Sequence, residues 1–135
     1  KSTHTALWHE LWDIPYLNGD LNLLGLQDDH IIVYGIPWCG TSRIFTTRQY
    51  ELGGIVLLGR DTQTDHLEEL LPSEKILRVM QRMISPAWKE LQLSQNLSFA
   101  EKIAEHVPVL HFLCTKNPSA AHTMKAAIDQ LEDLQ

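Results

Sequence analysis

Tyr50-Glu51-Leu52-Gly53-Gly54-Ile55-Val56-Leu57-Leu58 is an apolar run of strand length with little polar alternation. It reads as one strand buried on both faces, the kind that helices cover from two sides. Its diglycine marks a bulge or a close approach of backbone. Upstream, His30-Ile31-Ile32-Val33-Tyr34 is a second strand entered from the Gln27-Asp28-Asp29 turn. Tyr16-Leu17-Asn18 and Leu21-Asn22-Leu23-Leu24 are short extended pieces broken at Gly19-Asp20, and together with the strand at His30–Tyr34 they predict a hairpin in this region. Ahead of these, Ala6, Leu7, Leu11 and the pair Trp8 and Trp12 recur at helical spacing from Ser2 to Trp12, entered at Lys1 and stopped by Pro15.

Downstream the period changes to that of a helix. Pro72-Ser73-Glu74 opens a stripe of Ile76, Leu77, Val79, Met80, Met83 and Ile84 that Ser85-Pro86 ends. Pro86 starts a further helical piece through Trp88 and Leu91. Ser98 with Glu101 has the spacing of a capping box for a short helix ending near His106. Residues 107–114 form a third strand candidate, and Pro118 starts a last helix with Ala121, Met124, Ala127, Ile128 and Leu131 on one face. This order predicts an α/β domain, a mixed sheet flanked by helices, spanning residues 1–135 as a single unit without repeats or linkers.

The chain has 135 residues, 44% of them hydrophobic, which is material for one core. A formal net charge of -6 leaves no basic field for nucleic acid or an anionic membrane, so any phosphate must be held by local groups. Cys39 and Cys114 form neither a disulfide framework nor a CxxC pair, which points to an intracellular, cytoplasmic protein. Nothing approaches the about eighteen apolar residues of a membrane span. The seven histidines lack metal-ligand spacing, with no HExxH, and His4/His9 and His106/His111 are each five residues apart. The chain opens on Lys1 rather than Met, so the expectation is a fragment of a longer product.

Three pieces carry possible chemistry. Lys1-Ser2-Thr3 directly before a helix has the composition that ends a Walker A loop, where a lysine neutralises β- and γ-phosphates and a hydroxyl ligates Mg²⁺. The same tripeptide is also an ordinary helix cap. Asn18-Gly19-Asp20 ends an extended segment, where Asp20 would ligate Mg²⁺ or accept a proton; it is equally a hairpin turn. Gly35-Ile36-Pro37-Trp38-Cys39-Gly40-Thr41-Ser42-Arg43 is a compact loop whose Arg43 could stabilise phosphoryl charge while Thr41 and Ser42 donate hydrogen bonds. It is otherwise a structural turn with Trp38 over the core edge.

In this order the three pieces resemble the small phosphoenolpyruvate carboxykinase-like nucleotide-binding proteins, the superfamily that includes HPr serine kinase/phosphorylase. There a glycine loop ending in Gly-Lys-Ser-Thr leads into a helix, an acidic or Asn-Gly-Asp element ends the next strand, and a hairpin leads to a Gly-Thr-Pro-Trp-Ser/Cys-Gly-Thr-Ser loop. The matches are Lys1-Ser2-Thr3, Leu17-Asn18-Gly19-Asp20 and residues 35–42. Residues 52–58 resemble the family's next core strand and Leu70-Leu71-Pro72-Ser73-Glu74 its strand-to-helix passage. Departures are Asn18 for an acid, Ile36 for Thr and Arg43 for Gly, and the glycines that precede the lysine there are not in this sequence.

The resemblance implies a P-loop domain whose cofactors are ATP and Mg²⁺. Lys1, Ser2, Thr3 and Arg43 would bind the nucleotide, Ser2 and Asp20 the metal, and Asp20 would be the catalytic carboxylate. It implies an ATP-dependent kinase acting on a hydroxyl of a protein or small molecule, with activity lost and nucleotide bound poorly in a chain lacking the glycine loop. Homo-oligomers are common among such relatives. The alternatives are a nucleotide sensor without turnover and an interaction scaffold using Trp8, Trp12 and Trp38.

Overall fold

The computed structural model describes residues 1–84 and 89–132. Helix α1 runs Ser2–Trp12 and ends where Asp13 turns left-handed, φ 53°, and donates its N–H to His9 O at 2.8 Å. Strands β1 (Leu23–Gln27) and β2 (His30–Tyr34) form the expected hairpin. Its two turn residues, Asp28 and Asp29, both have positive φ, which matches the twist of a two-residue hairpin loop.

The run at residues 50–58 is two strands instead of one. Tyr50 and Glu51 belong to β3 (Gln49–Glu51), which extends the hairpin sheet to the order β1-β2-β3. Residues 55–58 begin β4 (Ile55–Arg60), which lies in a second sheet. The chain changes sheets at Leu52-Gly53-Gly54. Leu52 N–H still bonds Ile31 O at 2.8 Å, and a Cβ on Gly54 would sit 3.3 Å from Pro108 O, so the diglycine permits a close pass.

The second sheet has the order β4-β6-β5, with β6 (Val109–Cys114) parallel to β4 and β5 (His66–Glu68) antiparallel to β6. The three-residue β5 is too short for periodicity to reveal. Helix α2 covers Pro72–Met80, opened by Leu71 N–H on Glu74 Oε2 at 3.0 Å. Helix α3 runs unbroken from Glu90 to His106, so Ser98 lies inside it and caps nothing. Helix α4 covers Pro118–Glu132. Helix α2 stops at Met80, so Met83 and Ile84 of the expected stripe lie beyond it; the Ser85-Pro86 stop, the helix start expected at Pro86 and Trp88 fall outside the described residues.

The strand alternation sorts the core. Ile55, Leu57 and Val109 join Ile31, Val79 and Ile103 in one cluster under α2, α3 and β2. Val56, Leu58 and Phe112 join Trp8, Ala120 and Met124 in another under α1 and α4. Helices therefore cover both faces of the β4-β6-β5 sheet, the α/β arrangement expected from the sequence. No helix of the described residues is long and apolar enough to cross a membrane.

Candidate functional site

The amino end of α1 and the loop after it meet side chain to backbone. Lys1 Nζ donates to Asp20 O at 3.1 Å and lies 3.7 Å from Asp20 Oδ1. The two side chains are 57% and 67% exposed, so the pair contributes about 0–1 kcal/mol to stability. Its importance is placement, since it sets a cation and a carboxylate side by side at a helix N-terminus.

Asn18 is what holds Asp20 there. Its Oδ1 accepts the N–H groups of Asp20 at 2.8 Å and Leu21 at 3.0 Å, closing an Asx turn. Its Nδ2 donates to Ile36 O at 3.1 Å and Trp38 O at 2.8 Å. Further along, Thr46 N–H bonds Leu17 O at 2.9 Å, and Asn18 bridges antiparallel to Phe45. The second loop is thereby strapped along the first.

Two glycines are required by this packing. Gly40 has φ 57°, and a Cβ there would lie 3.1 Å from Asp20 Oδ2. A Cβ on Gly35 would overlap the Thr46 carbonyl. Lys1, Asn18-Gly19-Asp20 and the loop ending in the single 3-10 turn Gly40–Ser42 thus converge, although they are far apart in the chain.

The remaining site candidates stand differently. Ser2 and Thr3 occupy the first turn of α1, both exposed, and no hydrogen bond ties either hydroxyl to Asp20 among the described residues. Arg43 closes the 3-10 turn in a left-handed conformation, φ 55°, and is exposed; no ion pair joins it to Asp20 among the described residues. Thr41 is exposed on the same turn. No group of three His, Cys, Asp or Glu residues suited to a metal occurs among the described residues.

Basic residues that sequence reasoning passed over lie nearby. A cavity of about 230 Å³ separates the first turn of α1, with Lys1 and Thr3, from the C-terminal ends of β4 and β6, where Arg60 and Lys116 stand. Ligands of open α/β sheets bind at this end of the strands. Nothing local in the sequence marks Arg60 or Lys116; only their place after two parallel strands does.

His4 lines the same cavity. Trp8 Nε1–H donates to His4 Nε2 at 3.2 Å, which puts the proton of the neutral ring on Nδ1, and burial lowers the His4 pKa. On the neighbouring loop, Asp65 accepts Thr115 N–H at 2.7 Å and Ser119 Oγ–H at 2.6 Å, fixing the entry to α4.

No family model, no curated protein and no solved structure matches the chain. The class of the fold is α/β, with two small open sheets and helices on both faces of the second.

Proposed function

We propose that this domain is a carboxykinase-like P-loop scaffold whose cavity at the ends of β4 and β6 takes the phosphates of a nucleotide. The observation that carries the reading is the contact of Lys1 Nζ with Asp20, at the amino end of an 11-residue helix. A helix N-terminus favours anions through its unpaired N–H groups and dipole. Lys1, Arg60 and Lys116 around one cavity supply local positive charge on a chain whose net charge is -6.

The groups offered to Mg²⁺ stand beside Lys1 and not in the wall of the 230 Å³ cavity: Asp20 pairs with Lys1, and Ser2 follows it in the first turn of α1. Mg²⁺ commonly takes one or two protein ligands and completes its shell with phosphate oxygens and water, so Asp20 with the Ser2 hydroxyl suffices without a metal cluster. Bound there, the metal would supply charge neutralisation between the phosphates. Lys1 would bind phosphate oxygens and orient them. Asp20 would hold the metal side or take a proton from an attacking hydroxyl. Asn18 would position Asp20. The activity proposed is transfer of a phosphoryl group to a hydroxyl of a protein or small molecule.

One observation favours the second reading, a nucleotide sensor without turnover. Asn18 stands where the relatives named above carry an acid, and here its amide is committed to the carbonyls of Ile36 and Trp38. A carboxylate cannot donate to either. That leaves Asp20 as the carboxylate beside Lys1 among the described residues.

Thermal unfolding with and without MgATP tests both. Nucleotide raises the melting temperature of a longer polypeptide that carries this chain behind a glycine loop and leaves that of its Lys1→Ala variant unmoved; release of phosphate then separates kinase from sensor. No shift for that unaltered polypeptide at millimolar MgATP rejects the nucleotide reading.

A further inference from the structure

Strand β4 is an edge of its sheet, since β6 is its partner among the described residues. The register shows which of its peptide groups that partner uses. Ile55 N–H donates to Pro108 O at 2.9 Å and Asp61 N–H to Cys114 O at 3.0 Å, so Ile55, Leu57 and Gly59 turn their peptide groups to β6. By the alternation of a strand, the N–H and C=O groups of Val56, Leu58 and Arg60 point the other way. Val56 and Leu58 are half-buried, and no described residue pairs with these outward groups. Buried backbone groups are nearly always paired in native structures.

Space adjoins this edge on both faces of the strand. Under α1 and α4, a cavity of about 390 Å³ extends from Leu17 and Trp8 to Val56 and Leu58. Under α2 and α3, one of about 640 Å³ extends from Leu21 and Phe99 to Ile55 and Leu57. Residues of the segment 14–24 wall both, opposite β4. A row of alternating donors and acceptors between two apolar spaces is the complement of a peptide backbone with apolar side chains on either face. A small apolar molecule would fill one cavity and leave the row unpaired. A second copy would arrive with its own segment 14–24 in front of its β4.

We infer that the open edge of β4 seats an extended apolar peptide strand, from outside residues 1–135, that joins the sheet through its backbone. This goes beyond the nucleotide reading and does not depend on it.

Amide hydrogen exchange read by NMR tests it, on the isotope-labelled chain alone and with a capped peptide alternating valine and alanine between terminal lysines. In the free chain the amides of Val56, Leu58 and Arg60 exchange fast beside slow Leu57 and Gly59. The peptide slows those three about tenfold or more, as an added ladder requires. The same slowing in a longer polypeptide that carries this chain supports the inference with the strand supplied in cis. Val56→Pro removes an outward N–H and none that β6 uses, and it abolishes the protection. The exchange pattern of the unaltered chain decides where that variant does not fold.

Three results overturn the inference: outward amides as slow as inward ones in the free chain, slowing that grows with chain concentration alone, or no slowing either with peptide or in the longer polypeptide. MgATP is absent throughout, so the outcome is independent of nucleotide binding.

Discussion

The side-chain amide of Asn18 donates to the main-chain carbonyl of Trp38 at 2.8 Å, twenty residues along the chain. With the bonds to Ile36 O, Asp20 N and Leu21 N, this one side chain joins the two loops of the candidate site.

Asn18→Ala is expected to cost about 1–3 kcal/mol, because it leaves partners of a half-buried network unpaired. Asn18→Asp should be no better, since it keeps the acceptor for Asp20 N but turns an oxygen toward two carbonyls. Denaturant unfolding of both variants measures this, and an Asn18→Asp chain as stable as the parent would show that the two donated bonds are dispensable.

Gly40→Ala combines a left-handed backbone with a Cβ 3.1 Å from Asp20 Oδ2. The backbone alone costs about 1 kcal/mol for a residue with a Cβ. The carboxylate must also shift, so MgATP stabilisation of the longer polypeptide should fall more than unfolding stability does. Equal nucleotide shifts in parent and variant would place Asp20 outside the binding site.

His30 Nδ1 lies 2.6 Å from Glu51 Oε1, and the hydrogen bond to Glu51, followed by its charge, raises the His30 pKa above the ordinary value. A raised folded pKa means the pair stabilises the chain fully below the unfolded pKa and loses that contribution as pH rises through the folded one. An NMR titration of the ring checks it: Glu51→Gln should bring the midpoint down, and an unmoved midpoint would remove Glu51 as the cause.

Phe112, with no exposed surface, fills the core between the second sheet and α4. Phe112→Ala should cost about 3–5 kcal/mol. Calorimetry that finds a loss of less than half that range would mean that the α1/α4 side collapses onto the gap.

Much of the architecture was legible because it is local. Helix α1 starts and stops where the Trp8/Trp12 spacing and Pro15 place it, and Asp28-Asp29 supplies the positive φ values that its hairpin needs. The misreadings have physical causes. Residues 50–58 are apolar but for Glu51 and lack a polar alternation, so nothing within them says that Tyr50 pairs with Val33 while Val56 pairs with Leu110. Ser98 has a capping side chain, but helix α3 continues through it because Phe99, Ala100 and Ile103 pack on the core. Of the site, Lys1, Asp20 and the loop at residues 35–43 were visible as separate pieces, whereas Arg60 and Lys116 carried no local pattern.

Alone, then, the sequence determined the α/β class, the helices that open and close the chain and the hairpin between Leu23 and Tyr34, since periodicity and turn chemistry act over a few residues. The tertiary structure decided that Lys1 reaches Asp20, that Asn18 fastens Trp38, and that β4 keeps an open edge between two cavities. Those are contacts between segments far apart in the chain, chosen by burial and by the pairing of backbone groups across the whole domain, and no window of sequence contains them.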